Sequence, residues 1–373
     1  MKKILILLIP LLFTLFAPSR ISAQNIPSAP NAPKEEYFKA QVVNIEKQGQ
    51  RDNQGYKSYF QTLKARIENG PQKGKTVVVE NGDESQITKD QFVINGQEII
   101  VDKITTVNNN ASYSVYDAYR LNNIFIFLIV FCIAVILIAG FKGFGSLIGM
   151  GLSLGVILIY IVPEILRGAD PLTVTLIGAT VIILLTTYLA HGISWKTTIA
   201  LSSTLISIFL TAGLAILAVN FTNISGIGNE DAFALQVGTT SIINLKGLFL
   251  SGIIIATLGA LNDITTTQAM TILELKKADP KLKFVALFEK GFSVGREHIA
   301  SLVNTLILAY VGAAFAVFIF FVLNPAKIPY WVVLNNEIVA DEIVKILAGS
   351  IGLLLSVPIV TFLASLVFSN RKF

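Results

Sequence analysis

The chain has 373 residues, of which 53% are hydrophobic and 14% charged, with a formal charge of +5. A single water-soluble core of this size does not need that apolar excess, so most of the chain belongs in lipid. The Lys and Arg residues sit mainly in short loops beside apolar runs, where they orient spans, which excludes a nucleic-acid partner; the single cysteine, Cys132, lies inside an apolar run and excludes a disulfide framework or a cysteine metal cluster.

Met1-Lys2-Lys3, the apolar stretch Ile4 to Ala17 and then Ser22-Ala23-Gln24 have the charged, apolar and small-residue parts of a secretory signal. Residues 1–23 are therefore expected to be a signal peptide cleaved after Ala23; the alternative is an uncleaved anchor, whose apolar part falls short of the ~20 residues a span needs. Residues 24–36, rich in Pro, Asn and Ala, predict a flexible tether. Alternation then recurs at Phe38, Ala40 and Val42, at Tyr59, Leu63, Ala65 and Ile67, over Thr76 to Val79, and over Glu98 to Val101 after the turn signal Asn95-Gly96. This pattern predicts a small exported antiparallel β domain over 37–119, arranged as a barrel of the oligonucleotide-binding type or as a sandwich. It has no metal-spaced His or Cys and no Gly-rich phosphate loop, so its ligand is unread.

Tyr116 and Tyr119 suit a headgroup belt, and seven apolar spans follow at 122–140, 145–162, 171–190, 198–219, 247–270, 299–322 and 343–368. The fold class is thus a mainly α membrane protein, a seven-helix bundle over 120–373 behind the β domain. With the β domain outside, alternate loops fall inside and carry Lys142, Lys196, Lys276, Lys277, Lys281, Lys283, Lys290 and Arg296, and the tail carries Arg371 and Lys372. The outer loops carry Glu164, Asp170, Glu230, Asp231, Glu337, Asp341 and Glu342. Positive-inside bias and the signal peptide agree on one topology, with the C-terminus cytoplasmic. Asp279-Pro280 followed by Phe284, Val285, Leu287, Phe288 and Phe292 among Lys and Glu predicts a cytoplasmic amphipathic helix near 280–291.

Asp263 is the sharpest functional clue, because an acid inside a span is costly unless it is paired, hydrated or protonated. Gly252, Ala256, Gly259, Ala260, Asp263 and Thr267 recur at steps of three and four and share one helical face. Asn262, Thr265, Thr266 and Gln268 add more polar groups than a lipid-facing helix carries, so the stripe is expected to face protein or water. On the sixth span Arg296, Ala300 and Asn304 share a face, which suggests that Asp263 bonds to Asn304 or approaches Arg296 through water. The ion, proton or substrate site is therefore drawn at Asn262, Asp263, Thr267, Gln268, Arg296 and Asn304. The bland alternative makes Arg296 and His298 snorkelling boundary residues and Asp263 a helix-pairing group. Gly145 with Gly149, and Gly151 with Gly155, give two small-xxx-small spacings for helix packing or a homo-oligomer. His191, beside Trp195 and Lys196, is a lone boundary histidine without metal-binding companions.

Nothing points to catalysis, a metal or a cofactor: there is no Gly-x-x-x-x-Gly-Lys loop, Glu297-His298 lacks a second histidine, and Asp263 has no second membrane acid to share a proton. The chain is read as no enzyme, with the bilayer and an ion or small solute as its partners. Leu258-Gly259-Ala260-Leu261-Asn262-Asp263-Ile264, Glu274-Leu275-Lys276 with Pro280, and Gly295-Arg296 followed by Asn304-Thr305-Leu306-Ile307-Leu308-Ala309-Tyr310 resemble the YibE/F family of bacterial multi-pass membrane proteins. Where family members often follow Gly-Arg with Asp and an apolar pair, this chain has Glu297 and His298. The resemblance implies a bacterial plasma-membrane protein, often guessed to be a permease. The function expected is a transporter or permease with a polar intramembrane site around Asp263; the alternative is a non-transporting scaffold or sensor whose β domain binds a partner or an envelope ligand.

Overall fold

The computed structural model describes residues 34–53, 56–83, 86–105, 111–228, 232, 234–235, 243–324 and 327–371. The signal peptide and most of the tether lie outside the described residues, as do Glu230, Asp231 and Lys372. The chain divides into two compact units, which separate within the first long helix.

The first unit is a five-stranded closed barrel in the order β1-β2-β3-β5-β4, which decides between the two β arrangements in favour of the barrel. Its strands are β1 (Lys34–Asn53), β2 (Tyr56–Ile67), β3 (Thr76–Asn81), β4 (Glu98–Thr105) and β5 (Ala111–Ala118). Alternation points Phe38, Ala40, Val42, Leu63, Ala65, Ile67, Val79, Ile99 and Val101 into one core, where each larger side chain contributes roughly 1.5–3 kcal/mol by leaving water. The register stacks Ala40 between Ile67 and Ile99, and this small side chain lets the neighbouring isoleucines close the barrel. Two register shifts between Val42 and Lys47 bend β1.

Polar residues also sit inside the barrel. Gln61, wholly buried, donates to Gln48 Oε1 and Val93 O, and accepts from Asn81 Nδ2 and the Val93 amide. Every hydrogen-bonding position of its amide group is thereby met, which is the condition for burying it without penalty. One expectation needs correction: Lys34 to Glu36 belong to β1 and not to the tether. Tyr116 lies in β5 with its ring 5.1 Å edge-on from Tyr37.

The helices are α1 (Leu121–Val156), which runs through a π turn into α2 (Val162–Leu166), then α3 (Pro171–His191), α4 (Trp195–Phe221), α5 (Leu245–Ala278), α6 (Phe284–Ala313), α7 (Phe315–Leu323), α8 (Tyr330–Leu334) and α9 (Glu337–Ser369). Among the described residues, five stretches are long and apolar enough to cross a membrane, and six if the bent pair α6–α7 counts as one span. The first stretch, Leu121–Leu166, is broken at Gly140, whose φ of 57° and ψ of −138° belong to no helix. At ~1.5 Å per residue its 46 residues are about twice as long as a ~30 Å hydrocarbon layer is thick.

Small and hydroxyl side chains let α4, α5 and α9 approach closely. Ser203, Thr204, Ser207 and Thr211 on α4 are fully buried, and each donates to the carbonyl four residues earlier. Gly352 of α9 faces Thr211, and Gly349 faces Thr257 of α5. Of the two glycine spacings in α1, Gly145 and Gly149 meet α3 at Leu189 and Thr186, whereas Gly151 and Gly155 have nothing above them.

The amphipathic segment near 280–291 is not a separate helix: α6 continues without interruption from Phe284 to Ala313. Gly291 and Gly295 are points of close contact with Ile272 and Val357. The corner between α5 and α6 is held by Lys276, only 4% exposed, whose Nζ donates to Pro280 O at 2.8 Å and Leu282 O at 2.7 Å. At the opposite end of the helices, Glu337 Oε1 accepts from the Ser225 and Gly226 amides, both at 2.8 Å, and so ties the 224–228 loop to the start of α9.

Candidate functional site around Asp263

Helix α5 presents two polar faces with different fates. Asn262, half-buried, accepts from Thr187 Oγ1 of α3 at 2.8 Å. Thr265, fully buried, shares a hydroxyl contact with Thr204 of α4. Gln268, 1% exposed, donates through Nε2 to Gly291 O of α6 and to Thr361 Oγ1 of α9, both at 2.9 Å. Each of these side chains binds α5 to a neighbour, and Gln268 alone joins three helices.

The other face is open. Gly252, Ala256, Gly259, Asp263 and Thr267 are all exposed, and no atom lies within 4 Å of a side chain built on Gly252 or Gly259. Ala260, expected in this stripe, turns partly inward against the helical core. Asp263 makes no hydrogen bond or ion pair among the described residues, and its electrostatic partner is His191 at the end of α3. His191 in turn feels Lys196 and Lys142. His191 therefore interacts electrostatically with Lys196, Lys142 and Asp263.

No direct hydrogen bond joins Asp263 to Asn304 or Arg296 among the described residues. Asn304 is exposed without a hydrogen bond among the described residues, and Arg296 is exposed with its guanidinium 5.6 Å from the Phe292 ring. Of the six residues drawn as a site, Asn262 and Gln268 are ties between helices, Asp263 and Thr267 share the open face, and Arg296 and Asn304 stand apart on α6. Sequence reasoning missed Thr187 and Thr361 as partners. Their only signal is a hydroxyl inside an apolar run, which is shared by many residues that merely bond their own helix.

Among the described residues no group of three or more His, Cys, Asp or Glu is placed to hold a metal ion. The open face thus carries a carboxylate without a hydrogen bond among the described residues, set in a surface with almost no side-chain bulk.

Residues 127–370, well over half of the chain, match the YibE/F-like protein family. The chain belongs to that family. The match takes in α3 to α6 and α9, so the open face of α5 lies within the part that defines a YibE/F-like protein, whereas the barrel lies outside the matched segment. With its apolar helices the YibE/F-like chain is a multi-pass membrane protein. No curated protein and no solved structure matches it.

Proposed function

We propose that this YibE/F-like protein is a permease for a proton, a cation or a small solute in a bacterial cytoplasmic membrane, and that its polar site centres on Asp263 and His191. The observation that carries the reading is the Asp263 carboxylate, without a hydrogen bond or ion pair among the described residues and exposed on a strip of α5 made otherwise of Gly252, Ala256, Gly259 and Thr267. Against hydrocarbon such a group costs several kcal/mol, so the strip is expected to line water or a transported species. A floor of glycine and alanine leaves room for that species to pass. The break at Gly140 supports counting Leu121–Leu166 as two crossings, which with the α6–α7 pair gives seven. Loop charge supports a cytoplasmic position for Lys142, Lys196 and Lys283, and an extracytoplasmic one for the barrel.

The test is flux into proteoliposomes under an imposed pH gradient, comparing the parent with Asp263→Asn and His191→Gln. Both variants are expected to insert normally and to lose coupled flux. Parent-like flux in Asp263→Asn refutes the reading. A scaffold or sensor is the second reading, supported by the barrel's own complete core. Under it, removing the barrel abolishes the cellular phenotype while Asp263→Asn leaves it intact.

A further inference from the structure

A second feature of the helical unit is independent of Asp263. Ile206 of α4, Phe288 of α6 and Pro358, Ile359, Phe362 and Leu363 of α9 line a groove of about 440 Å3, and all six side chains are hydrocarbon or aromatic. It opens outward, since Ile206 and Phe362 are each 48% exposed. Its α6 wall is stiffened by rings: Phe288 stacks on Phe284 and Phe292 at centroid distances of 6.2 and 5.7 Å, and Phe284 meets Phe362 edge-on at 5.5 Å.

The mouth of the groove is basic. Helices α4 and α6 begin, and α9 ends, at the same face of the bundle: Arg371 lies 3.9 Å over the Trp195 ring, and Lys283 immediately precedes Phe284. Lys281 and Lys283 are exposed there and have no acidic partner among the described residues. The first turn of α6 adds backbone N–H groups with no side-chain cap. At ~1.5 Å per residue, Phe288 lies about 7 Å along α6 from Lys283, Leu363 about 12 Å along α9 from Arg371, and Ile206 about 16 Å along α4 from Trp195. Those depths run from the headgroup level to the middle of a bilayer, whose single leaflet has about 15 Å of hydrocarbon.

We propose that this groove is the seat of one anionic phospholipid, with an acyl chain against Ile206, Phe288 and Ile359 and the phosphate held among Lys281, Lys283 and Arg371. The apolar lining selects a chain. The unpaired amines select a negative headgroup, because a basic pocket between spans at a membrane surface gains attraction for each Lys or Arg that a lipid phosphate meets. A neutral lipid satisfies the groove but not its mouth.

Native mass spectrometry of the full-length protein in mild detergent, titrated with phosphatidylglycerol or with phosphatidylcholine of the same chains, tests this. The parent is expected to retain one phosphatidylglycerol with about tenfold or greater preference over phosphatidylcholine, at roughly a kcal/mol per amine. Lys281→Gln with Lys283→Gln should reduce that preference to a few-fold or less. Ile206→Trp, which fills the groove from an exposed position, should weaken retention of both lipids, while Phe209→Trp, also exposed on α4 and outside the lining, should retain them as the parent does. Equal retention of the two lipids by the parent overturns the proposal, as does unchanged retention in Ile206→Trp. Disulfide capture of a second copy through Ile206→Cys in a Cys132→Ser background also overturns it, in favour of a protein occupant.

Discussion

Two glycines in neighbouring helices provide a controlled measurement of how tightly Gln268 is held. A side chain built on Gly295 of α6 would sit 2.5 Å from Val357 Cγ1 and 3.0 Å from Gln268 Nε2, whereas nothing lies within 4 Å of one built on Gly259 of α5. Both residues are inside helices, so replacement by alanine gains the same propensity, up to about 1 kcal/mol. That gain cancels between the two variants and leaves the steric contribution alone. Overpacking of this kind costs about 1–3 kcal/mol, because Val357 and Gln268 are both buried and must shift together. Gly295→Ala should therefore be less stable than Gly259→Ala by that amount, or roughly 2–12 °C in Tm at the usual conversion for a unit of this size. Thermal unfolding in one detergent, followed by circular dichroism, reads the difference. Adding Val357→Ala removes the nearer obstacle and should recover part of the loss relative to Val357→Ala alone. Equal stability of Gly295→Ala and Gly259→Ala, or strict additivity with Val357→Ala, would refute the close approach of α6 to α5 and α9.

Gln268→Leu should lower stability by about 1–3 kcal/mol because it removes the donors that reach Gly291 and Thr361, whereas Asp263→Asn, with no hydrogen bond to lose among the described residues, should change Tm little; the same melts distinguish them. In the barrel, Gln61→Leu leaves the Val93 amide and the Asn81 amide group without their acceptor, and limited proteolysis of the full chain should cut between Ser58 and Val93 much faster than in the parent. The Asp170 carboxyl caps α3 and is held below its usual pKa, chiefly by the Thr173 amide and hydroxyl, with Asn244 adding to the effect. A folded pKa below the unfolded one makes the cap's stabilisation complete at neutral pH and progressively lost as pH falls through the acid range. Asp170→Asn should therefore flatten the acid side of a Tm-against-pH curve; an unchanged acid limb would remove Asp170 from the account.

Much of this architecture is legible in the sequence where a face is settled locally. Phe38, Ala40 and Val42, and Leu63, Ala65 and Ile67, announce the barrel by simple alternation, and the apolar runs announce the helices. Strand β5 is not announced, because Ser112, Tyr113, Ser114 and Tyr116 resemble a linker until β4 pairs with them. The continuity of α6 is hidden for a related reason: the amphipathic segment near 280–291 and the apolar span from 299 differ in composition, and only the packing of Gly291 and Gly295 on Ile272 and Val357 shows them to be one helix. At the site, the polar character of α5 is evident from Asn262 to Gln268, but the division of labour among those residues is set by Thr187 and Thr361, which lie 75 and 93 positions away from their partners. Asp263 and Thr267 are distinguished only by the absence of any helix over them, and a periodicity argument cannot detect that.

The amine of Lys276, shut into the turn after α5 and fastened to two main-chain oxygens beyond it, turns that corner into an elbow with little play. Gln268 welds the same two helices again a little over two turns earlier in α5. Asp263 lies on the same helix five residues before Gln268, so the two fastenings fix the open strip relative to the start of α6.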